Sequence, residues 1–340
     1  MTIKQLLAEQ KALISQITDE NTKHLASHDY RVWLAESLGK TPTFLIAHDD
    51  YQLTQNELAH YQQGLAKLLA GVPLGYVTGH QPFWQGDFLV NEHTLIPRAD
   101  TEILVETVLA FIDNHIEIPL EGHRQNSLSN PNIIDCYNSK PTPTQTLLTE
   151  QNLPQTLPTP TPKKTYTLLD MGTGSGCIVI SLAMSLKKQH PTKQQWQFSA
   201  VDISKTALII AEQNALRHQV DVTLIQGDWF CAFNSMSQKF DIIVSNPPYI
   251  DPQDPHLTAL SDEPITALVS DNQGLADIFT LIDTAKFYLE KGGLLAIEHG
   301  YDQAQAVQNR FIEQGFSQVA THKDRGGHDR VTFGVWDASL

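Results

Sequence analysis

From Tyr166 onward, short apolar runs alternate with longer stretches of helical periodicity, and this alternation constrains the fold more than any other feature of the chain. Candidate strands lie at 166–170, 198–202, 223–226, 241–245 and 293–298, most of them followed by enough residues for a crossover helix. Strands joined in this way pair in parallel through right-handed crossovers and form a sheet with helices on both faces. Two further runs, 317–321 and 331–335, are too close together for such a crossover. The polar segment between them, with Gly326-Gly327, predicts an antiparallel hairpin at the sheet edge. Ligands of open α/β sheets bind beyond the carboxyl ends of the strands, so the residues that follow each run carry the functional reading.

After the first run, Asp170-Met171 leads into Gly172-Thr173-Gly174-Ser175-Gly176 and then a helix. Glycines at alternate positions let backbone approach a ligand and adopt dihedrals closed to other residues. The spacing is G-x-G-x-G, with Cys177 where nicotinamide enzymes carry a third glycine, and no Gly-Lys-Ser/Thr of a P-loop is present. Asp202 closes the second run, where crossover geometry puts a carboxylate within reach of ribose hydroxyls. It also reads as a helix cap before Ser204, but its order relative to the glycines favours a nucleoside. Asp228-Trp229, after the third run, could bracket an adenine by hydrogen bonding and stacking, with a core indole as the competing reading.

The fourth run ends in Ser245-Asn246-Pro247-Pro248-Tyr249. Two prolines stiffen the corner and leave carbonyl groups without local helical partners. An amide or aromatic amino nitrogen is a poor nucleophile, because its lone pair is delocalised. Accepting its two N–H hydrogens with the Asn246 side-chain oxygen and the Pro247 carbonyl would orient that lone pair toward an electrophilic methyl group, with no strong base needed. Tyr249 is expected to pack against the planar acceptor. Asn246, Pro247, Pro248 and Tyr249 are therefore the expected catalytic and acceptor-binding residues.

The rest of the chain divides by texture. Residues 1–72 carry helical apolar spacing and predict a small all-α unit, whose Trp33 and Phe44 belong to its own core and which is given a substrate-docking role. Residues 73–97, with Tyr76-Val77-Thr78-Gly79, Phe83-Trp84 and Phe88-Leu89-Val90, predict a β-hairpin linker of short strands. The sheet domain follows over 98–340 and opens with a helix over 100–114. It is interrupted at about 116–165 by an insertion rich in Pro and Thr, which offers little apolar surface to offset ordering and is expected to be disordered.

A net charge of −15 argues against a broad grip on nucleic acid, which depends on Lys and Arg, and favours a protein or small-molecule acceptor. No run is long and apolar enough for a bilayer, and the first residues lack a signal-peptide core. Three cysteines without C-x-x-C spacing suggest neither disulfides nor a metal site, so a reduced, cytoplasmic protein without metal is expected.

With these residues in place, the chain resembles the protein-(glutamine-N5) methyltransferase family that modifies the Gly-Gly-Gln loop of class I peptide chain release factors. The similarity runs through the helical N-terminal unit, Thr78-Gly79, Phe83-Trp84, Leu95-Ile96-Pro97-Arg98, Thr101-Glu102, the glycine turn, Asp228-Trp229-Phe230, Ser245 to Asp251, Glu263-Pro264, Ala267-Leu268 and Glu298-His299-Gly300. It implies a Rossmann-like methyltransferase fold, a mostly parallel seven-stranded sheet with an antiparallel C-terminal hairpin. It also implies S-adenosylmethionine as methyl donor, S-adenosylhomocysteine as product, and release factors as protein partners, with no direct nucleic acid or membrane. By the same resemblance Gly172, Thr173, Gly174, Ser175, Gly176, Asp202, Trp229 and Asn246 contact the donor, and Asn246 to Tyr249 receive the glutamine. Ala99 departs from the proline usual in the family. An adenine-N6 nucleic-acid methyltransferase, a glutamine methyltransferase of a ribosomal protein and a non-catalytic nucleoside-binding module remain as alternatives, because the Asn-Pro-Pro-Tyr logic serves any planar NH2 group.

Overall fold

The structure, a computed structural model, describes residues 1–18, 20–115, 164–189, 195–233 and 235–337. The Pro/Thr-rich insertion therefore lies outside the described residues, apart from its last two positions.

The N-terminal unit comprises α1 (Ile3–Ser15), α2 (Glu20–Ser37), α3 (Pro42–Ala47), α4 (Gln55–Leu69) and α5 (Leu74–Thr78). Thr2 and Thr54 start α1 and α4 with reciprocal capping boxes, each side chain accepting from a backbone amide three residues on while Gln5 or Glu57 reaches back. Ile3, Leu6, Trp33, Leu34, Leu45 and Tyr61 form its core. Gly64 lets α4 close onto Trp33, because a β-carbon there would stand 2.1 Å from the indole. The extended reading of Tyr76 to Thr78 is corrected: these residues are helical. Leu74 and Val77, at helical spacing, pack onto the N-terminal core, and Gly79 ends the turn at φ 80°.

The hairpin follows as β1 (His80–Phe83) paired antiparallel with β2 (Gly86–Leu89). Phe83 and Phe88 bury in the core of the sheet domain, so the hairpin is fastened to that domain by its aromatic side chains. After the turn at Ala99–Thr101 comes α6 (Glu102–His115).

The remaining strands are β3 (Thr165–Met171), β4 (Gln195–Asp202), β5 (Thr223–Gln226), β6 (Phe240–Ser245), β7 (Leu289–Glu298), β8 (Ser317–Lys323) and β9 (Asp329–Trp336). They form one sheet in the order β5-β4-β3-β6-β7-β9-β8, parallel except that β9 runs antiparallel to β7 and β8. This is the expected methyltransferase architecture, with several strands longer by a few residues than the apolar runs that announced them. The helices α7 (Cys177–Gln189), α8 (Lys205–Arg217), α10 (Ala276–Ala285) and α11 (Ala304–Glu313), with the single turn α9 (Asp271–Gly274), complete the domain. Two apolar clusters sandwich the sheet, one including Val108, Ile178 and Leu182, the other Ile278, Ile282 and Phe311. No described helix is long and apolar enough to cross a membrane.

Candidate active site

The sheet register decides the site. In the parallel pair β3–β6, Met171 stands opposite Ser245, and the Ser245 hydroxyl donates to the Met171 carbonyl at 2.7 Å. The next residues, Gly172 and Asn246, therefore leave the sheet side by side. Both loops open onto one cavity of about 450 Å³, a size ordinary for a small-molecule site.

The glycine turn is shaped by left-handed dihedrals, with φ 70° at Gly172, 54° at Gly174 and 81° at Gly176. Gly172 and Thr173 donate backbone N–H groups to the Val201 carbonyl, and the Gly174 N–H donates to the Asp202 carboxylate at 2.8 Å. The other Asp202 oxygen accepts from the Ser204 N–H at 2.8 Å, so Asp202 serves both the turn and the next helix. Burial pushes its carboxyl up, against the pull of these two amides. Asp170, fully buried below the turn, accepts from the Thr173 hydroxyl at 2.7 Å and is pushed by burial up to about 7. Cys177 reaches the cavity wall, but burial pushes its thiol up to about 12, which makes it a neutral wall group and no nucleophile.

Gly172, Thr173, Gly174, Ser175, Asp202, Trp229, Asn246 and Pro248 line the cavity, together with Asp228. Gly176, Pro247 and Tyr249 are not part of its lining. The requirement for glycine at 176 comes from packing, since a β-carbon there would meet Ile180 at 2.9 Å and Ala211 at 3.2 Å. Trp229 packs its ring over Gly172, where a β-carbon would stand 3.2 Å away, and donates its indole N–H to Asp277 at 3.1 Å. Asp277 also accepts from the Ser270 hydroxyl. The indole is thus half wall and half anchor.

At the Asn246–Tyr249 corner, Asn246 donates its Nδ2 to the Thr101 hydroxyl oxygen at 3.3 Å. Among the described residues, neither Asn246 Oδ1 nor the Pro247 carbonyl accepts a hydrogen bond. Tyr249 donates its phenol to Glu298 at 3.3 Å, and burial followed by the Glu298 charge raises the phenol well above its usual range. Its carbonyl accepts from Gln303 Nε2 at 2.9 Å, and the same nitrogen donates to the Gln273 carbonyl at 3.0 Å. Asn272, Gln273 and Gly274 all have positive φ, and a β-carbon on Gly274 would stand 2.0 Å from the Tyr249 carbonyl oxygen. That left-handed run allows the 270–275 segment to close directly on the corner.

Several of these supports had no reading of their own in the sequence. Glu298 carried one usable signal, its place at the carboxyl end of a strand. Thr101, like Glu298, entered the sequence reading within the motifs of the resemblance but with no role attached, while Gln303, Gly274 and Asp277 carried no signal that separates them from surface or helix-start residues. Asn214 is similar: it is buried on α8, exchanges hydrogen bonds with both backbone groups of Leu89, and donates to the Ser175 carbonyl at 2.9 Å. One amide therefore ties the hairpin to the glycine turn.

Comparison with known proteins agrees with this geometry. Residues 162–331 match the family described as a methyltransferase domain, and residues 6–79 match the family described as PrmC N-terminal domain. The release factor glutamine methyltransferase of Shewanella oneidensis is 33% identical, over 97% of this chain and 95% of that protein. Its namesake from Haemophilus influenzae is 32% identical over 99% of each chain, and that of Pasteurella multocida 34% identical over 93% of this chain and 94% of its own. With both units matched and near-complete coverage in either direction, the chain belongs to the release factor glutamine methyltransferase family.

Proposed function

We propose that this protein transfers the methyl group of S-adenosylmethionine to the side-chain amide nitrogen of a glutamine, the one in the Gly-Gly-Gln motif of class I peptide chain release factors. The observation that carries the reading is the emergence of Gly172 and Asn246 from adjacent parallel strands into one cavity, with Asn246 Oδ1 and the Pro247 carbonyl accepting no hydrogen bond among the described residues. The names of the relatives supply the substrate class, and a translation factor as substrate implies action in the cytoplasm.

The residues fit a nucleoside donor. Ser175 Oγ is buried at the cavity wall with no hydrogen-bond partner among the described residues, and the space beside Gly174 Cα is open to 4 Å. Asp202 and Asp228 present carboxylates to the same cavity, and Trp229 presents ring surface. We assign Gly172 to Ser175, Asp202 and Trp229 to binding the donor. Gly176 acts from behind, by letting the turn pack on α8. When bound, S-adenosylmethionine supplies an electrophilic methyl on a sulfonium and takes up the bonding electrons as a neutral thioether.

What the chain contributes is orientation. Asn246 Oδ1 and the Pro247 carbonyl accept the two hydrogens of the glutamine NH2 group, so its lone pair is directed at the methyl carbon. As the C–N bond forms, the nitrogen gains positive charge, and the two oxygens stabilise it in place. The surplus proton leaves to water. Pro248 fixes the backbone of the corner, and Tyr249 fixes it from behind through Glu298 and Gln303.

Mass spectrometry of a release factor incubated with the protein and isotopically labelled donor tests this. The expected result is one labelled methyl on the glutamine of Gly-Gly-Gln. Label on a ribosomal protein or on adenine of an oligonucleotide, with the release factor unmodified, overturns the assignment.

A further inference from the structure

We propose that Asp277 is a positioning residue for the methyl donor: by anchoring the indole N–H of Trp229, it holds the ring that walls the cavity in place against the glycine turn. The inference rests on the reading of this cavity as the site of a nucleoside donor.

Trp229 stands in a backbone conformation that its own side chain disfavours. Its φ is 44°, in the left-handed region that bulky residues rarely enter. Such a residue persists only where its surroundings over-determine it. Two contacts do so here. The six-membered part of the indole lies so close to Gly172 that a β-carbon there would stand 3.2 Å away, and the indole N–H donates to Asp277 Oδ1 at 3.1 Å. An indole has one polar hydrogen and no acceptor, so this bond uses its whole hydrogen-bonding capacity.

Asp277 is held in its turn. The Ser270 hydroxyl donates to Asp277 Oδ2 at 2.6 Å and accepts from the Asp277 backbone N–H at 3.0 Å. Ser270 is buried, and its own N–H donates to the Ile250 carbonyl at 3.0 Å. With Oδ2 committed to Ser270, Oδ1 is the oxygen left for the indole. Asp277 and Trp229 both line the cavity, 48 positions apart in the chain. Since protein groups engage both Asp277 oxygens, its part is to hold the wall. A ring fixed in this way presents the same face before and after the donor enters, so binding does not have to order it.

Four variants of the full chain test the anchor: Asp277→Ala, Asp277→Asn, Trp229→Phe and the double variant Trp229→Phe with Asp277→Ala. Calorimetry with S-adenosylhomocysteine is expected to show affinity weakened about tenfold in Asp277→Ala. Asp277→Asn should stay within about threefold of the parent, because its oxygen still accepts the indole hydrogen while its NH2 group donates to the Ser270 hydroxyl. Trp229→Phe keeps an aromatic wall without the anchored hydrogen. The double variant should bind within about twofold of the weaker single variant, since the two residues share one contact. In the unliganded protein, the fluorescence of Trp229 is the parent spectrum minus that of Trp229→Phe, and in the Asp277→Ala background it is that variant minus the double variant. It should differ between the two backgrounds, whereas a role confined to the stability of the helix would leave it unmoved. Parent-like affinity in folded Asp277→Ala, or losses that multiply in the double variant, overturn the anchor. If Asp277→Ala does not fold, unchanged affinity in a folded Trp229→Phe protein overturns it equally. A parent that binds S-adenosylhomocysteine but methylates no release factor sinks the functional reading and leaves this inference standing.

Discussion

The glycine turn at 172–176 and the corner at 246–249 leave neighbouring strands, yet they are held in opposite ways. The turn is fixed from nearby: Asp170 lies three residues from Thr173, and Val201 and Asp202 come from the adjacent strand. The corner is fixed from afar. Asn246 is bonded to Thr101, 145 positions away, while Tyr249 is bonded to Glu298 and Gln303, 49 and 54 positions away. On the proposed reading the turn binds the donor, and its shape comes largely from glycine dihedrals and the Asp202 carboxylate. On the same proposed reading the corner aims a planar nitrogen, which calls for side-chain polarity and rigidity that short local sequence does not provide.

The comparison breaks most visibly at Asn246. Asn246→Ala is expected to lower kcat on the order of a hundredfold by removing one of two acceptors for the glutamine NH2 group, with donor binding retained. Isothermal titration with the donor beside steady-state kinetics checks it, and unchanged turnover refutes the role.

A smaller effect is expected from a residue in neither loop. Gly274→Ala places a β-carbon against the Tyr249 carbonyl at a position of φ 78°. It should cost on the order of 1–3 kcal/mol in urea unfolding. Turnover should fall while donor affinity stays near that of the parent. Equal damage to donor binding would mean that the two loops are not supported separately.

The turn has its own counterpart. Asp202→Asn keeps the shape but weakens charge-assisted bonds to two amides, and should weaken donor binding roughly tenfold. With donor saturating, kcat should change little, the reverse of the pattern at Asn246.

The smallest effect is a pH dependence of stability at the corner. Burial raises Glu298 from an ordinary carboxyl value to about 7. A raised folded-state pKa gives stability that is complete below the unfolded pKa of about 4.5 and is lost as pH rises through about 7. Glu298→Gln removes that dependence. Its melting temperature relative to the parent should therefore rise between pH 5 and pH 8, by roughly 2–4 °C. A relative melting temperature that falls over this interval would show that the carboxylate is stabilised in the fold as an ion.

Much of this was legible in the chain. The alternation after Tyr166 announced seven strands and the antiparallel ending, because a buried parallel strand must be apolar along its length and a crossover must be long. Strand ends were less legible: β7 begins at Leu289 with Glu290 and Lys291 inside it, residues that carry no apolar signal. Tyr76 to Thr78 has the β-branched and aromatic character of a strand, yet Leu74 and Val77 gain more by packing as a helical turn on the N-terminal core.

By itself, then, the sequence determined the sheet, the order of its loops, the glycine turn and the identity of the Asn-Pro-Pro-Tyr corner, since each depends on residue type within a short span. Only the tertiary structure decided that Gly176 serves packing, that Pro247 and Tyr249 stand outside the cavity lining, and that Thr101, Glu298, Gln303 and Gly274 hold the corner. The physical reason is that backbone shape is encoded locally, whereas the partner of a buried polar group is set by which strands and helices pack together.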